Sequence, residues 1–229
     1  MRKSPAIISI ILFAVFVGIL IVSAETTARV SFDNISGAVA DTGAINIIAS
    51  YYLGYRLFDT LFEILVFTTA VQGVAYLLGS MPTLERHKPM REQAIIIYTD
   101  IIFGASIIMG LYIAAAGHIS AGGGFVGGIV GATGAVLVFL TMPIEDMEKD
   151  FPHSVLAILE ILILLIIFAL MIYPIFIALP PMRNFLPLGN IGHIISGGTI
   201  PIVDTLIGIK VLIGAITIAQ TFIKHRGVF

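Results

Sequence analysis

The chain has 229 residues, is 58% hydrophobic and 11% charged, and has a mean hydropathy of +1.07. A soluble domain carries about 25% charged residues, so this composition places the chain in a membrane. A net charge of −2 gives no footprint for nucleic acid, and the lack of cysteine excludes disulfides, iron–sulfur ligation and thiol catalysis in this chain.

A hydrocarbon core of about 30 Å needs about 20 mostly apolar residues per helix. Six segments meet that length: 6–23, 57–79, 94–116, 122–142, 155–179 and 203–223. The predicted fold is therefore all-α, a polytopic membrane protein with about six transmembrane helices. In the first segment, Arg2 and Lys3 precede an apolar run, and Val22-Ser23-Ala24 precede Glu25. That pattern fits a cleavable signal peptide or a retained signal anchor, and the anchor is the reading taken here. The stretch 25–56 reads as a long loop. The stretch 80–93 holds Pro82, Pro89 and a cluster of charged side chains. It marks a boundary between a unit of two helices at 1–88 and a unit of four at 89–229. The stretch 180–200, with Pro180, Pro181, Pro187 and Asn190, reads as a surface or re-entrant segment.

Lys and Arg in the loops set the orientation. With the N-terminus in the cytoplasm, eight basic residues lie inside (Arg2, Lys3, Arg86, Lys88, Arg91, Lys149, Lys224, Arg226) and three outside (Arg29, Arg56, Arg183). Both termini are then cytoplasmic.

The stretch 117–134, GHISAGGGFVGGIVGATG, holds eight of the 23 glycines. A phosphate-binding loop would follow a strand and open a helix, and nothing here reads as such a unit. Gly123, Gly127 and Gly131, with Gly124 and Gly128, have the small-xxx-small spacing that lets helices approach closely in lipid. Gly122, Gly123 and Gly124 open this helix and suit a tight connection. His118, beside Gly117, is free to cap, to bond a carbonyl or to titrate; a structural role is the simpler one.

Ionisable groups inside spans are costly and mark paths or partners. Asp100 lies five or six residues into its span, roughly 8–9 Å deep at 1.5 Å per residue. Glu160 and Glu63 lie at similar depths on other spans. Asp59 precedes Glu63 at i and i+4, so both carboxylates share one face. Asp204 starts the last span, and Lys210 lies deeper on it. Asp59 and Asp204 also fit solvated helix ends. Glu63, Asp100, Glu160 and Lys210 read either as ion-translocation groups or as ion pairs between helices or subunits. No catalytic triad is suggested by spacing. The histidines His87, His118, His153, His193 and His225 are scattered, so no metal cluster is expected.

The run Gly117-His118-Ile119-Ser120-Ala121-Gly122-Gly123-Gly124-Phe125-Val126-Gly127-Gly128 resembles the GHxxPGGGFxGG signature of the MnhB/MrpB subunit of Mrp-type Na⁺/H⁺ antiporters. Ala121 stands where the signature has Pro. The stretch from Ile200-Pro201 to Gly208-Ile209-Lys210-Val211 resembles the last helix of that family. Upstream, Asp41-Thr42-Gly43-Ala44-Ile45-Asn46-Ile47-Ile48 and Tyr55-Arg56-Leu57-Phe58-Asp59-Thr60-Leu61-Phe62-Glu63 resemble the C-terminal tail of the MrpA subunit. They also resemble the small E subunit of membrane-bound hydrogenases; Phe62 replaces the Gly of the usual DTLGE. The resemblance implies an E-like unit fused to an MrpB-like unit. It implies a subunit that is non-catalytic by itself and holds no cofactor, with Na⁺ or H⁺ as the transported ion. The implied partners are other Mrp-like antiporter subunits and hydrogenase-like or iron–sulfur subunits in the cytoplasmic membrane. A respiratory host of the hydrogenase or sulfane-sulfur reductase type is expected; a free-standing Mrp antiporter and a purely structural scaffold are the alternatives.

Overall fold

The computed structural model describes residues 35–79, 81, 89–90 and 92–225. The expected span 6–23 lies outside these residues. The described residues are helical, with no strand among them. In order they form α1 (Ile35–Thr42), the short α2 (Ile47–Ala49), a π-helical turn (Ser50–Tyr55), α3 (Leu57–Gly79) and α4 (Gln93–Ala115). Then follow α5 (Gly124–Thr141), α6 (Ile144–Asp150), α7 (His153–Phe176) and α8 (Ile200–Lys224). Five spans among the described residues are long and apolar enough to cross a membrane: α3, α4, α5, the stretch Ile144–Phe176 containing α7, and α8.

The stretch 25–56 was expected to be a loop, and its described part is mostly helical instead. The helices α1 and α2 are too short to show an apolar stripe over several turns. Side-chain bonds fix them. Asn46 Oδ1 accepts from the backbone N–H groups of Ile48 at 3.1 Å and Ala49 at 3.4 Å, which caps α2. Asn46 Nδ2 donates to the carbonyls of Gly117 at 2.7 Å and Ser120 at 2.9 Å. Its backbone N–H donates to the His118 carbonyl at 3.0 Å. One asparagine thus pins this segment to the α4–α5 connection. Thr42 Oγ1 donates to Ala38 O at 2.7 Å and lies 2.8 Å from Ser50 Oγ, which closes α1 onto the π-helical turn.

The helix α8 is the centre of the bundle and packs against α3, α4, α5 and α7. On the other side α5 packs tightly on α4. The glycines of α5 set both distances. A Cβ on Gly110 of α4 would lie 2.5 Å from Gly127 O, and one on Gly127 would lie 2.8 Å from Ala114 N. On the α8 side, a Cβ on Gly128 would lie 2.6 Å from Gly208 O and 2.7 Å from Val211 Cβ. A Cβ on Gly131 would press into the Leu212 side chain. Two backbone faces of α5 are therefore in contact with neighbouring helices, where association in lipid rests on close packing.

The segment 180–200 forms turns with Gly189, Gly192, Gly197 and Gly198 at positive φ. Asn184 holds its return: Nδ2 donates to Gly197 O at 2.9 Å, and Oδ1 accepts from Thr199 N at 2.9 Å. Ser196 and Thr199 of this segment are buried.

Gly128→Ile forces a branched side chain against Gly208 and Val211, an overpacking that costs about 1–3 kcal/mol. It is expected to lower the melting temperature in mild detergent by roughly 2–12 °C. Gly73→Ala, whose Cβ would meet nothing within 4 Å, should not lower the temperature, since alanine is the better helix former. An unchanged melting temperature for Gly128→Ile contradicts the close α5–α8 crossing.

Candidate functional site: two carboxylates at a cleft

The connection from α4 to α5 runs through Gly122 at φ 158° and Gly123 at φ 128°. Gly123 is followed by Gly124, the first residue of α5, whose free backbone N–H points at α8. There Asp204 Oδ1 accepts that N–H at 2.6 Å. A helix N-terminus presents unpaired N–H groups and a partial positive charge, so a carboxylate is stabilised there. Asp204 is 4% exposed, and its Oδ2 has no donor among the described residues. Oδ2 faces Gly117 and Gly123; a Cβ on Gly123 would sit 3.8 Å from it, and one on Gly117 would overlap it. The glycines thus leave room beside an unsatisfied carboxylate oxygen.

Asp204 also lines a cleft of about 330 Å³ between the π-helical turn, α3, the start of α5 and α8. Its lining includes Glu63 of α3, Asn46, Thr60 and Asp204. Glu63 is exposed at the cleft. Thr60 donates its hydroxyl to Tyr52 O at 3.1 Å. Two carboxylates from different helices therefore line one cleft.

Other expected site residues lie elsewhere. Asp59 shares a helix face with Glu63 but forms an ion pair with Arg56 at the start of α3. Glu160 of α7 and Lys210 of α8 form a fully buried ion pair, with Lys210 Nζ 5.6 Å from the centre of the Phe67 ring. Glu160 Oε2 has no hydrogen-bond partner among the described residues. Lys210 lies roughly 9 Å along α8 from Asp204. Asp100 is exposed on α4, away from the cleft. The described residues contain no cluster of metal-ligating side chains.

His118 is fully buried between the α4–α5 turn and the segment 180–200. A Cβ on Gly197 would lie 3.3 Å from its Cδ2. Its ring nitrogens face the backbone of His193 and Ala115 without well-formed hydrogen bonds. Burial pushes its pKa below the usual histidine value, and those backbone carbonyls oppose the shift.

Sequence reasoning missed two polar residues. Asn46 lies in an apparent loop with no pattern around it that marks its role. Gln220 is 1% exposed and donates to Phe151 O at 2.9 Å, which ties the end of α8 to the α6–α7 turn. Its place on a span was a usable signal, since a buried amide in lipid needs a partner.

The fold and its buried charges define a multi-pass α-helical membrane protein. Residues 94–217 match the family model described as "Domain related to MnhB subunit of Na+/H+ antiporter". The chain belongs to that family. It is 30% identical over 115 residues to the Staphylococcus aureus (strain MRSA252) protein named "Putative antiporter subunit mnhB2", covering 46% of this chain and 77% of that protein. It is also similar to a chain in the structure of the membrane-bound sulfane sulfur reductase, an archaeal respiratory membrane complex. That likeness has 26% identity and a TM-score of 0.72 and covers 97% of this chain and 98% of the other. A chain of the Mrp complex from Dietzia sp. DQ12-45-1b shares the fold at 16% identity and TM-score 0.60. This chain spans about a quarter of that one, 26% of its length.

Removing one partner of a buried ion pair leaves an uncompensated charge and costs about 3–5 kcal/mol. Lys210→Met should therefore destabilise the chain by about that much, and Lys210→Met with Glu160→Leu should recover most of it. Denaturation of the three proteins in mild detergent checks this; a double variant as weak as the single one contradicts the pairing.

His118 gives a pH dependence. Its folded pKa is lowered, so the unfolded chain binds the proton more readily, near pH 6.5. Its stabilisation is fully present above that value and is lost as pH falls below it toward the folded pKa. Wild type should lose stability below about pH 6.5 faster than His118→Gln, by at most about 1.4 kcal/mol per pH unit. Parallel stability curves for the two proteins contradict the buried neutral histidine.

Proposed function

We propose that this chain is a membrane subunit of an Mrp-type cation/proton antiporter module within a respiratory membrane complex of the sulfane sulfur reductase type. The observation that carries the reading is the likeness to a chain of that reductase over nearly the full length of both chains. The family assignment of residues 94–217 supports the antiporter part. We read 1–88 and 89–229 as an E-like unit fused to an MrpB-like unit, on the resemblance of the motifs at 41–63 and 117–128. The chain is non-catalytic by itself and needs no cofactor. Its partners are Mrp-like antiporter subunits and hydrogenase-like or iron–sulfur subunits in the cytoplasmic membrane, and both its termini face the cytoplasm.

The cleft between Glu63 and Asp204 is the part of the chain fitted to handle the ion. A hard cation takes oxygen ligands, and a proton needs a carboxylate able to accept it. Asp204 Oδ2 is buried and free of donors, and Glu63 stands in the same cleft. The Gly124 N–H holds the other Asp204 oxygen and so fixes the direction of the free one. Na⁺ or H⁺ exchanging between these two carboxylates is the step this chain performs. The Glu160–Lys210 pair and Asp100 are further candidates on the path through neighbouring subunits. A scaffold role is the second reading, favoured by the glycine contacts of α5, which hold helices together without any ion.

A charged contact contributes about 1.5–3 kcal/mol, so neutralising one carboxylate should slow Na⁺-dependent transport roughly ten- to hundredfold. The test is ion flux in vesicles reconstituted with the complex, carrying Glu63→Gln or Asp204→Asn. The reading expects normal assembly with slowed flux in both variants. Wild-type flux in both contradicts the translocation role and leaves the scaffold.

A further inference from the structure

The helix α4 gives one face to α5 through Gly110 and turns another outward. Asp100 is exposed on the outward face of this 23-residue span. It lies seven residues, roughly 10 Å, from the start of the helix. It makes no hydrogen bond or ion pair with any described residue. One turn on, Gly104 is also exposed, and a Cβ built there would meet nothing within 4 Å. Ile97, Ile101 and Ile108 frame the pair and are exposed as well.

This face is poorly matched to lipid. A carboxylate turned toward hydrocarbon within a span is costly and calls for a partner or a polar path. The exposed face of α7 is the contrast: Ile158, Ile161, Leu162, Leu165, Ile166 and Ile172 are apolar throughout. Nor does the chain's own lysine within a span answer Asp100, because Lys210 is committed to Glu160. Arg56 and Lys224 are held by Asp59 and Glu148. No basic side chain among the described residues pairs with Asp100, which leaves its charge open to a partner. Gly104 gives the matching shape, since a small residue lets a second helix approach closely, as Gly110 does for α5.

We infer that the Asp100–Gly104 face of α4 docks a transmembrane helix of another subunit, and that this helix carries a Lys or Arg at the height of Asp100. The inference rests on the reading of the chain as a subunit of a larger complex. Buried in that interface, the pair would be shielded from lipid, and the cation would fix the height of the two helices.

The chain contains no cysteine, so Gly104→Cys places a single thiol in it. The intact complex carrying this variant is purified in mild detergent, labelled with a thiol-reactive photocrosslinker and analysed by peptide mass spectrometry. The expected adduct is a membrane-spanning peptide of another subunit with Lys or Arg within one turn of the crosslink. Asp100→Lys should then lower the share of this chain recovered in the complex by about tenfold or more, and Glu in place of the partner's basic residue should restore it. Adducts only to lipid, to residues 1–34, to a second copy of this chain or to a helix without a basic residue overturn the inference. Should Asp100→Lys fail to enter the membrane, the crosslink decides alone. An intact complex with lipid adducts removes this inference only; a chain that purifies alone removes the subunit reading as well.

Discussion

The rest of the structure depends on how closely the backbone of α5 approaches α8. With a Cβ on Gly124 or Gly128 the two helices could not meet as they do. Because they do meet, the first N–H of α5 reaches Asp204, and a carboxylate is held at a helix N-terminus inside the bundle. The same closeness leaves Gly117 and Gly123 beside the second carboxylate oxygen. A packing constraint thus produces a polar site, and one set of glycines serves both.

Three of the carboxylate arrangements in this chain differ in their physics. Asp59 meets Arg56 in a partly exposed pair, where the interaction is weak. Glu160 and Lys210 meet in full burial, where each is costly alone and tolerable only together. Glu63 and Asp204 line one cleft, and neither is in an ion pair among the described residues. The third arrangement sets two carboxylates from different helices at one cleft, with Asp204 Oδ2 free of donors among the described residues. A cleft with spare carboxylate oxygens is the arrangement expected of a carrier, whereas a satisfied pair mainly fixes two helices.

Much of this was legible in the sequence. The apolar runs at 57–79 and 122–142 stand close to α3 and α5, because lipid demands continuous apolar length. The spacing of Gly124 and Gly128 on one row, and Gly127 and Gly131 on another, coincides with the faces α5 turns to its neighbours. Other features were not legible. Glu160 and Lys210 are 50 residues apart, and no local pattern says that they pair. Asp59 and Glu63 stand at i and i+4, yet Arg56 claims one and the cleft the other. Asn46 bonds to carbonyls 71 and 74 residues away, so a segment read as a loop became part of the wall of the cleft. Tertiary bonds of this kind override local propensity and leave no periodic trace.

The central claim is that this chain works inside a redox-linked, ion-moving assembly. Its most direct test is purification of the native complex in mild detergent, with mass spectrometry of every polypeptide that accompanies the chain. The account predicts Mrp-like antiporter subunits together with hydrogenase-like and iron–sulfur subunits in fixed ratio. Recovery of Mrp-like subunits alone would make it part of a free-standing antiporter and contradict the respiratory assignment. Recovery of the chain by itself would contradict the account as a whole.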